Sequence, residues 1–268
     1  MTPRILCDFD GTIVPEDVTD GLLERFALPE WRVLEEAWRA GRIGSQACMR
    51  GQVELLRVTQ NDLNHYLDQV EIDPDFPAFV DHTRRLGWSL LVVSDGIDYA
   101  IRRILDRYGL GHLPVFANHL QWLTEESYRL TFPYAQSDCR SASGTCKCRV
   151  AHGTESSHSL NILIGDGASD FCVAEAVHMV WAKDRLLQRC REQGLPHLPF
   201  SRFRDCLEQV TSPVFLAQLL SSMIRTREVA PPVWSPLPSH HTIGPCCPTM
   251  SVDTPALMCA QFGVPWSE

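Results

Sequence analysis

The chain has 268 residues, 44 % hydrophobic and 21 % charged, the balance of an ordinary globular protein long enough for one large domain or a core carrying an insertion. Its formal charge of −9, with arginines scattered rather than clustered, argues against a phosphate-backbone partner, so no nucleic acid is expected. No apolar run approaches the roughly 18 residues of a membrane span, and the first residues lack a signal-peptide layout, which predicts a cytoplasmic protein with no membrane partner.

The apolar run Ile5-Leu6-Cys7 reads as a strand leading into Asp8-Phe9-Asp10-Gly11-Thr12. Residues i and i+2 of a strand share a face, so Asp8 and Asp10 should project together at its end, with Gly11 permitting a turn. Two neighbouring carboxylates repel and call for a cation between them. Residues 17–72 carry helical patterning, as in Trp31-Arg32-Val33-Leu34-Glu35-Glu36-Ala37-Trp38, and form a small helical module. A helix begins at Phe76-Pro77 and closes at Gly87. Trp88-Ser89-Leu90-Leu91-Val92-Val93 is then a buried strand ending at Ser94-Asp95-Gly96.

A helix over Tyr99 to Tyr108, a short strand Pro114-Val115-Phe116-Ala117 and a hairpin between Gln121 and Phe132 follow. A loop rich in Ser, Gly and Cys leads to Lys147 and a short helix. The strand Leu160-Asn161-Ile162-Leu163-Ile164 runs into Gly165-Asp166-Gly167-Ala168-Ser169-Asp170. Alternating strands and helices predict an α/β fold, a doubly wound, Rossmann-like, mostly parallel sheet that binds ligands beyond the carboxyl ends of its strands. Asp8, Asp10, Ser94 and Asp166 all lie at such ends. The expected organisation is a core of residues 1–16 and 73–226, the helical module 17–72, and a loosely ordered, Pro- and Cys-containing tail over 227–268. The tail's His240-His241 and Cys246-Cys247 match no metal-ligand spacing.

This ordered set, Asp-x-Asp-Gly-Thr at 8–12, Ser94 after an apolar strand, Lys147, and Gly-Asp-Gly-x-x-Asp at 165–170, resembles the haloacid dehalogenase superfamily. Within it the chain looks most like the branch of the phosphoserine phosphatases and the 2-hydroxy-3-keto-5-methylthiopentenyl-1-phosphate phosphatases, in which a helical cap is inserted after the first motif. The resemblance implies a phosphatase with Asp8 as nucleophile and Asp10 as general acid and base. It also implies Mg²⁺ held by the Asp8 carboxylate, the Asp10 backbone carbonyl and Asp166. Ser94 and the neighbouring backbone of Asp95 and Gly96 would bind phosphate, together with Lys147, and Asp170 would orient Lys147 or a metal-bound water. Phosphoryl transfer asks for such parts, because it depends on in-line positioning and on cations and donors around dispersed negative charge.

The resemblance also bears on substrate. Phosphoserine phosphatases place a Glu nine residues after the nucleophile and an Arg in the cap, where this chain has Asp17 and Gln52. Arg39, Arg42 or Arg50 could supply the guanidinium instead. Similarity to the methylthiopentenyl-phosphate enzymes is closer, in Pro29-Glu30-Trp31, in Gly144-Thr145-Cys146-Lys147-Cys148 and in the run Cys190 to Pro199. The small phosphorylated metabolite expected is therefore 2-hydroxy-3-keto-5-methylthiopentenyl 1-phosphate of methionine salvage, with phosphoserine, phosphocholine and phosphoethanolamine as alternatives. A phosphotransferase or a phosphate-binding regulatory protein would use the same residues. The eleven cysteines are expected as reduced thiols. Cys139, Cys146 and Cys148, with His152 or His158, are the alternative of a structural zinc site.

Overall fold

The structure, a computed structural model, describes residues 3–153 and 160–225. His158 and the tail residues His240, His241, Cys246 and Cys247 lie outside them. In chain order the elements are β1 (Pro3–Cys7), α1 (Val18–Phe26), α2 (Trp31–Arg39), α3 (Ser45–Glu54), α4 (Gln60–Leu67), α5 (Phe76–Arg85), β2 (Ser89–Ile97) and α6 (Asp98–Arg107). They continue with β3 (Val115–Trp122), β4 (Tyr128–Thr131), α7 (Lys147–Gly153), β5 (Leu160–Gly165), α8 (Phe171–Ala174), β6 (Met179–Ala182), α9 (Asp184–Gln193), β7 (His197–Pro199), α10 (Phe203–Gln209) and α11 (Pro213–Arg225).

The seven strands form one sheet in the order β4-β3-β2-β1-β5-β6-β7, parallel except for β4. Strand period divides the apolar residues between two cores. Ile5, Cys7, Val92, Ile162 and Ile164 face one, and Leu6, Leu91, Val93 and Leu163 face the other. Helices cover both sides, so the central strands are apolar on both faces, as a parallel sheet requires. On one side Phe76 and Phe79 of α5 pack against Phe203 of α10, and Trp181 of β6 stacks on Phe215 of α11 with ring centroids 4.9 Å apart.

From β1 the chain proceeds outward through β2, β3 and β4, then returns to β5 on the other flank of β1. The crevice between the carboxyl ends of β1 and β5 is thus the point where the winding reverses, the usual ligand position in such sheets. Asp8 follows β1, and Asp166 follows β5. Strand β2 extends through Ser94-Asp95-Gly96 to Ile97 instead of ending before them. Its pairing with β3 shifts register between Val93 and Ile97, so the polar triplet sits on an irregularity of the strand next to the crevice.

Candidate active site

Asp8 continues the ladder of β1 by one bond, its N–H donating to the Ile164 carbonyl at 2.9 Å, and the chain then leaves the sheet. Phe9 turns into the core, its carbonyl accepting from the amides of Ile13 and Val14. That leaves Asp8 and Asp10 on the crevice side. Gly11 has φ of +70°, and a Cβ there would lie 2.5 Å from Asp166 Oδ2, so glycine is required both for the turn and for the close approach of β5. Thr12 fastens the same junction, its hydroxyl donating to Asp166 Oδ1 at 2.7 Å.

Lys147 begins α7 and is almost fully buried. Its Nζ lies 2.7 Å from Asp8 Oδ2 and 2.7 Å from Asp170 Oδ1, and it donates to the Ser169 hydroxyl at 3.2 Å. Asp170 accepts the backbone N–H groups of Asp166 and Gly167 at its other oxygen, so it holds both the ammonium and the turn after β5. On the opposite side of Asp8, Asp10 Oδ1 accepts the Val18 N–H at 2.9 Å, and Ser94 donates a long hydrogen bond of 3.5 Å to Asp10 Oδ2. Gly96 donates its N–H to Ser94 Oγ, and a Cβ at Gly96 would approach Asp10 Oδ2 to 2.7 Å.

Burial, then the charge of Asp170, pushes the Asp8 carboxyl well above the usual carboxylate range, against the pull of Lys147. Burial, then the neighbouring Asp17, pushes Asp10 up to about 8. Burial likewise raises Asp166, opposed by the Thr12 hydroxyl. For Lys147, burial works against the charged form, but Asp170 and Asp8 together outweigh it and hold the ammonium charged. One ammonium thus faces several carboxylates, and the site is short of positive charge. Oxygens of Asp8, Asp166 and Asp170 all lie within 4.8 Å of one another. An oxygen-only donor set lacking positive charge fits a hard divalent cation such as Mg²⁺. With Asp170 already committed to Lys147 and two amides, Asp8 and Asp166 are the side chains disposed to hold it.

Asp8, Asp10, Ser94 and Asp166 line a cavity of about 730 Å³. Asp17, the N-cap of α1, is on its wall, as is Gln52 of α3, whose amide donates to Glu35 Oε2 at 3.1 Å. Arg50 is turned away. Its guanidinium stacks over the Phe132 ring, 5.1 Å from the centroid, because it projects from the face of α3 that packs on the β4 side. Arg42 is not on the wall either, whereas Arg39 is, paired with Glu35 at 2.9 Å. Asp95 borders the cavity, but its carboxylate accepts hydrogen bonds from Ser45, Asn118 and Thr145.

Several wall residues carry no motif signal: Glu35 and Trp38 of α2, Ser45, Cys48 and Met49 of α3, and Arg185 of α9. Helical spacing could have grouped most of them, since Ser45, Cys48, Met49 and Gln52 recur at i, i+3, i+4 and i+7. Arg185 has no such signal. Cys139, Cys146 and Cys148 are free thiols, with Cys146 in contact with both of the others, but among the described residues the cysteines form no set of three ligand atoms all within 4.8 Å of one another.

The model of the haloacid dehalogenase-like hydrolases matches residues 5–175. The 2-hydroxy-3-keto-5-methylthiopentenyl-1-phosphate phosphatase of Geobacillus kaustophilus (strain HTA426) is 32 % identical over 213 residues, 78 % of this chain and 96 % of that protein. The enzyme of the same name from Geobacillus thermodenitrificans (strain NG80-2) is 31 % identical over 77 % of this chain and 94 % of its own. Among solved structures, a phospho-aspartyl intermediate analogue of phosphoserine phosphatase superposes with a TM-score of 0.56 at 20 % identity, covering 77 % of this chain and 98 % of that one. At such identity the superposition establishes the shared fold.

Proposed function

The chain belongs to the haloacid dehalogenase-like hydrolase family, and on that premise we propose that it is a Mg²⁺-dependent phosphomonoesterase whose substrate is 2-hydroxy-3-keto-5-methylthiopentenyl 1-phosphate, in methionine salvage. The observation that carries the chemistry is the placement of buried Lys147 between Asp8 and Asp170, with Asp8 opening onto the same cavity as Asp10 and Ser94. A buried carboxylate paired to an ammonium, with a second carboxyl in its protonated range beside it, is the equipment for nucleophilic attack followed by acid–base work.

In the first half-reaction a carboxylate oxygen of Asp8 bonds to phosphorus while the ester oxygen leaves, taking the proton of the Asp10 carboxyl. In the second, Asp10 removes a proton from water as that water attacks phosphorus, and the bond to Asp8 breaks to release phosphate. Ser94 and the backbone of Asp95 and Gly96 bind phosphoryl oxygens, and Lys147 balances charge on the nucleophile and the transferring group. Asp8, Asp166 and the Asp10 carbonyl would hold Mg²⁺, which would supply further positive charge against the phosphoryl oxygens.

Helices α1–α4 serve as the cap over the cavity. Asp17 and Gln52 face the part of the substrate beyond the phosphate, and Trp38 and Met49 offer apolar surface suited to a thioether chain. We place the enzyme in the cytoplasm, a setting in keeping with its free thiols. Phosphate release from the methylthiopentenyl ester should exceed that from phosphoserine, phosphocholine and phosphoethanolamine in kcat/KM, and should need Mg²⁺. A higher value for one of the other three would reassign the substrate, and no release from any of them would refute the phosphatase reading. Label appearing in added acceptor alcohols instead of inorganic phosphate would make it a phosphotransferase.

A further inference from the structure

Asp95 stands next to the phosphate-binding Ser94, yet its carboxylate faces away from the reacting groups and gathers three other parts of the chain. Its Oδ2 accepts the Ser45 hydroxyl at 2.6 Å, and its Oδ1 accepts the Thr145 N–H at 2.9 Å and the Asn118 amide at 3.2 Å. Asn118, fully buried on β3, closes the ring by accepting the Thr145 hydroxyl at 3.1 Å. Ser45 is the first residue of α3. Thr145 lies two residues before Lys147.

A second tie joins the same two segments. The Gln46 N–H donates to the Ala142 carbonyl at 3.0 Å, and a Cβ at Gly44 would come within 2.7 Å of the Ala142 Cβ, so the start of α3 rests directly on the loop that delivers Lys147. The other end of the connection faces the cavity, since Cys48, Met49 and Gln52 lie on the same face of α3 as Ser45. A carboxylate used only for ligand contact has no need of three protein donors from three elements. A joint needs them.

We propose that Asp95 is a positioning residue that couples the substrate-facing helix α3 to Lys147, so that what the cavity holds against α3 bears on where the ammonium sits. The proposal rests on the phosphatase reading for its catalytic consequence, but the coupling itself can be read without turnover. Ser45→Ala removes one arm of the joint at a partly exposed position on the cavity wall, where its hydroxyl bonds Asp95. It should lower kcat for p-nitrophenyl phosphate with Mg²⁺ by roughly tenfold, in the range of a lost charge-assisted hydrogen bond, while KM stays within about twofold because uniform binding is untouched. Ser45→Thr, which keeps the hydroxyl, should restore the rate.

Asp95→Ala should fall further, and adding Ser45→Ala to it should change nothing more, the non-additivity expected of two groups in one contact. Hydrogen–deuterium exchange of the segment 139–147 should quicken in Ser45→Ala, although that segment is about 100 residues away in sequence. Unchanged kcat and unchanged exchange in Ser45→Ala would overturn the proposal, as would additive effects in the double variant. If Asp95→Ala fails to fold, Ser45→Ala and its threonine rescue decide the matter alone. Should the wild-type protein release no phosphate, the phosphatase reading fails and exchange decides: faster exchange in Ser45→Ala retains the joint, and unaltered exchange removes it.

Discussion

As the proposed general acid, Asp10 would have to be protonated to assist the leaving group, and burial with Asp17 beside it raises its carboxyl to about 8. A group raised in this way keeps its proton at neutral pH and loses it as pH climbs through that value. Turnover of an alkyl phosphate should therefore decline above roughly pH 8, following the raised Asp10 value. Asp17→Asn, which preserves the N-cap of α1, should move the declining limb of the kcat profile to lower pH; an unmoved limb would mean that Asp17 does not act on Asp10. In Asp10→Asn, steady-state turnover should drop by about 10²–10⁴. With p-nitrophenyl phosphate, whose leaving group departs without a proton, a stoichiometric burst of p-nitrophenolate should survive, and its loss would contradict the division of labour between Asp8 and Asp10. Asp170→Ala strips one partner from a buried pair and should lower stability by about 3–5 kcal/mol, read from the urea midpoint; a loss under about 1 kcal/mol would show the pair to be weakly coupled. Asp8, Asp10, Ser94 and Asp166 were legible as polar groups at the ends of strands, where an apolar run stops, whereas Lys147 after a Ser, Gly and Cys loop was picked out by the family resemblance. The direction of the Asp95 side chain was not legible, since it depends on Ser45, Asn118 and Thr145, none of which is near it in the chain.

Among the elements, α2 and α3 would decide what lies opposite a bound phosphate. Their cavity faces combine Glu35, Trp38 and Arg39 with Cys48, Met49 and Gln52, and the Gln52 amide braces Glu35, which in turn holds Arg39. Gln52→Ala and Asp17→Ala should therefore alter the ranking among phosphate esters by more than they alter the p-nitrophenyl phosphate rate. A uniform change across esters would place both residues outside recognition. Long, strongly patterned elements were readable in advance: α5, α6 and β5 stand where apolar period and turn residues put them, whereas the short strand expected over 114–117 runs on as β3 to Trp122 and itself forms the first arm of the hairpin expected over 121–132. Strand β6 has four residues, all buried, and β7 only three. So short a run shows neither alternation nor length enough to separate strand from buried helix. Arg50 illustrates the same limit, since one step around a helix separates the cavity wall from the ring of Phe132.

On the scale of the whole molecule, the winding of the sheet brings Asp8 and Asp166, 158 residues apart in the sequence, to one crevice with Lys147. That convergence was legible as an alternation of strands and helices, because parallel strands need crossovers and crossovers set all the carboxyl ends on one edge. Bringing three carboxylates around a single ammonium leaves a deficit that Mg²⁺ should relieve. Chelation should abolish turnover, and Mg²⁺ at 100 times its Kd should stabilise the fold by about 2.7 kcal/mol, a gain that Asp166→Asn should remove. A thermal midpoint indifferent to Mg²⁺ would count against the assigned ligands. Transfer of phosphorus to Asp8 is read out by borohydride reduction of the enzyme quenched during turnover, followed by peptide mass spectrometry. Reduction of an acyl phosphate converts the aspartate to homoserine, so homoserine at position 8 is the predicted result. Turnover that proceeds with unmodified aspartate at position 8, or with the modification at another residue, would contradict it.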